Sequence, residues 1–190
     1  MLVAFAIVIA IVSALVAGRH EGDRSPQTRL EWARTIAFWV FTIVVAFEMV
    51  AGGIWDLLRI ETVRSTLIHL GYPHYLLYIL GFPKLFCAAA LLAPRLPRLK
   101  EWAYAGAIFN YTGAAASHLL VGDGPKAFVA PLVFTAFAMA SWTLRPATRK
   151  SLQLRPAMPT RAVTWYVPVL ILAGMLVVAL LTLPKGAPPQ

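Results

Sequence analysis

One cysteine, Cys87, stands in the whole chain. That scarcity excludes an intramolecular disulfide, a CxxC redox pair and a thiolate zinc cage. Charge is scarce as well: 13% of the 190 residues are charged and 59% are hydrophobic, whereas a soluble domain carries roughly 25% charged residues. Such a composition suits a bilayer. Acids are the rarer sign, 8 against 17 lysines and arginines. In a soluble protein that excess would suggest a polyanion partner, but here the basic residues sit in short loops between apolar runs, where they set orientation, and no nucleic-acid site is read. No flavin motif is present. His69 and His74 fall in a polar segment rather than in a span facing His118, which argues against a bis-histidine haem, and one imidazole with scattered carboxylates has no metal-ligand spacing.

What is present is a series of apolar runs. About 20 residues cross the hydrocarbon core, so residues 2–17 are of marginal length. No Lys or Arg precedes that run and no small-x-small site ends it, so a retained helix is expected rather than a cleaved leader. A polar stretch, 18–31, contains Arg19, Arg24, Pro26 and Arg29 and reads as a loop. Further spans are expected at 32–55, 75–93, 102–121, 127–144 and 163–183. Between 56 and 71, Leu57, Ile60, Val63, Leu67, Ile68 and Leu70 recur at helical spacing, with Arg59, Thr62, Ser65, Thr66 and His69 mainly opposite. That pattern predicts an amphipathic helix lying in the interface and ending at Gly71-Tyr72-Pro73.

The fold class expected is therefore all-α: a polytopic membrane protein with a four-helix transmembrane bundle made of spans two to five, one extra transmembrane helix at each end, and an interfacial amphipathic helix after span two. It forms a single membrane domain, divisible into an N-terminal helix and loop (1–31), a core (32–145), and a basic loop with a C-terminal helix (146–190). The loops after spans one, three and five hold twelve Lys and Arg with their flanks, and the opposite side four. By the positive-inside rule the odd loops are cytoplasmic and both termini face outward, as for a multi-pass protein of a bacterial inner membrane.

Several polar groups lie inside these runs. Glu48 in span two and Lys84 in span three fall at similar depth, and a charge at a helix centre costs about 2.5–3.5 kcal/mol on an insertion scale, so the two are expected to pair. Asn110, Ser117 and His118 follow one face of span four. Glu48, Lys84, Asn110, Ser117 and His118 are thus the candidate lining of a ligand pocket; a packing salt bridge between Glu48 and Lys84 is the structural alternative. Gly52, Gly53 and Gly113 are expected to let helices approach closely. Pro83 removes a backbone donor just before Lys84, and a kink there would aim the amine inward. Asp56 reads as a cap of the amphipathic helix or as lining of the pocket mouth. Cys87 reads as a packing residue, and Trp32, Trp55, Tyr72, Tyr75, Trp102, Trp142, Trp165 and Tyr166 as an interfacial belt.

The succession AFEMVAGGIWDLLR, HLGYPHYLLYILGFPKLFCAAALLAP and FNYTGAAASHLLVGD resembles the DoxX-like family of small bacterial membrane proteins, over about residues 34–145. The matching positions are Glu48, Gly52, Gly53, Lys84, Asn110 and His118. The resemblance implies membrane subunits linked to thiosulfate oxidation coupled to quinone, so the implied ligand is a quinone headgroup or another small molecule. No covalently bound cofactor is implied, and the partners would be the lipid bilayer and a membrane or redox subunit. The absence of any autonomous catalytic motif makes the chain at most a membrane subunit of an oxidoreductase system. An accessory or assembly protein with a structural Glu–Lys pair, and a small transporter or proton pathway, are the other readings.

Overall fold

The computed structural model describes residues 26–94, 96–146 and 163–182. The expected first span, the question of its cleavage, most of the basic loop after span five and both chain ends lie outside these residues. Six helices are described, with no strand among the described residues: α1 Pro26–Leu57, α2 Glu61–His69, α3 Leu76–Leu92, α4 Pro97–Leu120, α5 Pro125–Leu144 and α6 Val163–Leu181. Five of them overlap the apolar runs expected as spans and α2 overlaps the expected amphipathic segment, but residues 26–31, expected to belong to a loop, are helical and extend α1. Two of them, Arg29–Leu57 within α1 and Pro125–Leu144, are long and apolar enough to cross a membrane, while Leu76–Leu92 and Pro168–Leu181 are shorter apolar helices.

Helix α1 is the central element. It packs on α3, α5 and α6, and α4 closes the arrangement by packing on α5 and α3. The core lies along α1, from Ile43, Val45 and Ala46 through Met49, Val50 and Ile54, and receives Ala88 and Leu91 from α3, Tyr104, Ala107 and Tyr111 from α4, Ala138 from α5 and Met175 and Ala179 from α6. Alanine and glycine recur because helices in an apolar medium gain from close van der Waals approach. Gly53 and Gly81 mark the closest point: a Cβ on Gly81 would lie 3.0 Å from the Gly53 carbonyl oxygen, and one on Gly53 would lie 3.0 Å from the carbonyl oxygen of Gly81. Gly113, expected to pack in the same way, instead faces open space, with no heavy atom within 4 Å of an added Cβ. Its spacing to Ser117 predicts a small face but cannot say which way that face turns.

Three helices end in the same motif. After α1, Ile60 N–H donates to the Trp55 carbonyl and Arg59 N–H to Asp56, each at 3.1 Å; after α2, Tyr72 bonds Leu67 and Gly71 bonds Ile68; after α4, Asp123 bonds His118 and Gly122 bonds Leu119. These are Schellman ends, which require a left-handed residue just past the helix. Gly71 and Gly122 supply it at φ +79°, but at the first the residue is Arg59, at φ +51°. A left-handed L-residue costs about 1–2 kcal/mol. Arg59→Gly is therefore expected to stabilise the protein by up to about 1 kcal/mol, after the entropy that glycine adds to the unfolded chain, seen as a rise in thermal midpoint in detergent.

At the other end of the bundle from α2, a polar network joins three helices. Ser141 Oγ lies 2.7 Å from both Thr42 Oγ1 and Tyr104 OH. Arg145, just past the end of α5, is buried, with its guanidinium 5.1 Å above the Tyr104 ring and Nη2 donating to Glu101 at 2.6 Å. Lys100 is buried too; its Nζ donates to the Ala90 and Leu91 carbonyls at 2.8 and 2.6 Å, capping the C-terminal end of α3.

Candidate functional site

Glu48, Gly52 and Asp56 follow one another at four-residue steps, so they lie on one side of α1 at successive turns. Gly81 of α3 crosses α1 at Gly53, and one turn further along α3 this register brings Lys84 over Gly52. An added Cβ on Gly52 would lie 3.1 Å from Glu48 Oε1 and 3.5 Å from Lys84 Nζ. The bare glycine backbone is thus flanked by an acid and an amine. The amine's salt bridge, however, runs to the other acid: Lys84 Nζ donates to Asp56 Oδ2 at 2.8 Å, with the two side chains 14% and 6% exposed. The expected Glu48–Lys84 pair is corrected accordingly. Lys84 stands between two carboxylates one turn to either side, and it closes on Asp56.

Asp56 is consequently neither helix cap nor bystander. The N-cap of α2 is Ile60, with no side-chain cap, and the Asp56 carboxylate is committed to Lys84. Glu48 has a different partner: the Tyr111 hydroxyl of α4 donates to its Oε2. Tyr111 was not singled out by sequence reasoning. The signal that could have found it is position, because it lies at mid-helix beside Asn110, where a buried phenol needs a hydrogen-bond partner. Trp55, next to Asp56, has a buried indole N–H with no hydrogen-bond partner among the described residues.

The remaining expected lining residues go elsewhere. Asn110 is half-buried and its side chain makes no hydrogen bond among the described residues. Ser117 Oγ lies 2.8 Å from Tyr72 OH and donates to the Gly113 carbonyl. His118 Nδ1 lies 2.6 Å from Asp123 Oδ2, and His69 Nε2 lies 2.7 Å from Asp123 Oδ1. Ser117 and His118 therefore belong to a second cluster at the α2 end of the bundle. That cluster borders an open cavity of about 660 Å³ lined by Ser65, Thr66, His69, His118, Asp123 and Lys126 among others. Spacing along α4 could not name the neighbours of these residues. Cys87 donates to the Ala103 carbonyl at 3.3 Å, a packing contact between α3 and α4. No group of three or more His, Cys, Asp and Glu side chains among the described residues is arranged to hold a metal ion.

Chemically, the α1–α3–α4 site holds two carboxyls, one amine and one phenol around an uncovered backbone turn. Lys84 has three N–H donors, of which Asp56 takes one. Two acids share one base, so one carboxyl carries its charge without a cation of its own or carries a proton. Lys84 keeps part of its surface exposed.

The described residues are all helical or in turns, with two helices long and apolar enough to cross a membrane and an ion pair buried between helices, features that suit a membrane-associated protein. The sequence profile of the DoxX-like family matches residues 40–141, more than half of the chain, and the protein belongs to that family. No curated protein and no solved structure matches the chain.

Proposed function

We propose that the protein is a multi-pass subunit of a redox pathway whose α1–α3–α4 site receives the headgroup of a quinone. The observation that carries this reading is the Gly52 cradle. A carboxyl oxygen and an ammonium stand 3.1 and 3.5 Å from a position that any other residue would fill with its own side chain, and the amine has donors to spare. In this reading Lys84 donates a hydrogen bond to a ring carbonyl, Asp56 holds Lys84 in place and charged, and Glu48, steadied by Tyr111, gives or takes the proton that accompanies reduction or oxidation of that carbonyl. The unpaired Trp55 N–H on the same turn of α1 is a further donor suited to an acceptor ligand. Electrons would come from a partner subunit. The same proposal takes α1, α3, α4 and α5 as the transmembrane four-helix bundle of an inner-membrane protein, with the α2 end on the outer side.

Binding of a short-chain benzoquinone to the purified protein in nanodiscs tests the site. Glu48→Gln keeps the shape and removes the proton exchange, so it should leave quinone affinity within about threefold while stopping quinone-dependent oxidation by the protein with its co-purified partner. Gly52→Ala fills the cradle and should weaken binding at least about tenfold, a change of 1.4 kcal/mol. Undiminished quinone affinity in Gly52→Ala, or no binding by the native protein, would sink the reading.

A further inference from the structure

The second polar cluster is built by the chain ending of α4. In a Schellman end the residue after the left-handed glycine usually makes an apolar contact with the residue five positions before it. Here those two residues are Asp123 and His118, and the contact is the bond from imidazole to carboxylate at 2.6 Å, alongside the backbone bond from Asp123 N–H to the His118 carbonyl at 3.0 Å. This half of the cluster is fixed within one motif. The other half comes from α2, whose His69 reaches the second carboxylate oxygen at 2.7 Å. An ionised carboxylate only accepts, so both rings present an N–H to it.

Little else holds α2 to the bundle. Leu67 is its one buried residue. Its other side-chain hydrogen bonds stay within the helix: Arg64 to Glu61, and the Ser65 and Thr66 hydroxyls to the Thr62 carbonyl. Just beyond it, Tyr72 OH meets Ser117. A left-handed residue bounds α2 on each side, Arg59 before it and Gly71 after it. The turn at Arg59 also adjoins the ion pair, since Arg59 N–H donates to the backbone carbonyl of Asp56, whose carboxylate holds Lys84.

We infer that α2 is a hinged strap, latched to the α4–α5 turn by His69 and His118 on Asp123, and that its release loosens the Asp56–Lys84 pair. A free anion has no vacancy here, because Asp123 already occupies the position between the imidazoles that an oxyanion would take. The charged group beside the latch is Lys126 from α5, which lines the same cavity; the other charges of α2, Glu61 and Arg64, pair with each other. The bonds from His118 and His69 hold the Asp123 carboxyl below its ordinary value of 3.8. A carboxyl lowered in this way contributes above its ordinary value and loses its contribution as the pH falls through the lower folded value. Protonation of Asp123 in acid therefore opens the latch.

The test uses the full-length protein in nanodiscs and needs no quinone, so its outcome is separate from that of the ligand reading. Hydrogen exchange is followed over residues 61–72, with residues 42–51 as the core reference, and acetylation of Lys84 by an amine reagent is followed by mass spectrometry. Asp123→Asn and His69→Ala should each speed exchange in the strap about tenfold, leave the core unchanged and raise the acetylation rate of Lys84 severalfold. Two variants from opposite sides of the latch guard against one that folds poorly. Strap exchange at the native rate, strap exchange that rises only in step with the core, or unaltered Lys84 reactivity would each overturn the proposal.

Discussion

Lys84→Met is expected to be the most damaging single substitution in the protein, lowering stability by about 3–5 kcal/mol, the usual cost of removing one partner from a buried ion pair. Asp56 is only 6% exposed, and without the ammonium its carboxylate faces a second one, Glu48, across Gly52. Thermal unfolding in detergent and yield of folded protein measure the loss. The informative companion is Lys84→Met with Asp56→Asn, which removes both charges together. Replacing a buried pair by uncharged groups of similar volume is often close to neutral, so the double variant should recover most of the stability. It should not recover quinone binding, because the donor is gone. Full stability in the single variant would mean that the pair contributes nothing. Restored binding in the double variant would leave Lys84 a packing group and return the site to the structural reading.

Much of the fold was legible because an apolar run long enough to matter has few alternatives to helix. The spans expected at 75–93 and 127–144 correspond to Leu76–Leu92 and Pro125–Leu144. Expected ends fell short where the helices take in polar residues: α1 is already helical at Pro26, and α4 starts at Pro97, with proline in its first turn, where the missing N–H costs nothing. The amphipathic segment was expected from 56 but starts at Glu61, since α1 runs on to Leu57 and closes with a left-handed arginine that no turn rule would have chosen. Glu48 and Lys84 were legible as charges in apolar surroundings. Their partners were not. Asp56 near a helix end reads as a cap until the Gly53–Gly81 crossing sets the register of α3 against α1, and that register is a tertiary fact. Tyr111 reads as one more apolar residue, and His69 and Asp123, 54 positions apart, meet only because α2 folds back over the end of α4.

Two glycines of similar appearance in the sequence should respond to alanine with opposite signs. At Gly81 the new methyl would lie 2.8 and 2.9 Å from Leu57 Cγ and Cδ2 and 3.0 Å from the Gly53 carbonyl oxygen. The leucine side chain can turn away, but the carbonyl belongs to the backbone of α1, so the helices must part by several tenths of an ångström. Overpacking of this kind costs about 1–3 kcal/mol. The effect also reaches the site, because Lys84 lies one turn further along α3 and its 2.8 Å bond to Asp56 spans the same interface. Gly81→Ala is therefore expected to weaken quinone binding as well as lower the thermal midpoint. At Gly113 nothing lies within 4 Å, and alanine there should stabilise α4 by about 0.5–1 kcal/mol, the ordinary helical gain over glycine. Thermal melts of the two variants side by side decide the matter. A loss at Gly113 matching that at Gly81 would show a neighbour seated on the exposed face of α4, whereas the predicted divergence places the close helix crossing at Gly53 and Gly81, where it sets Lys84 between its two acids.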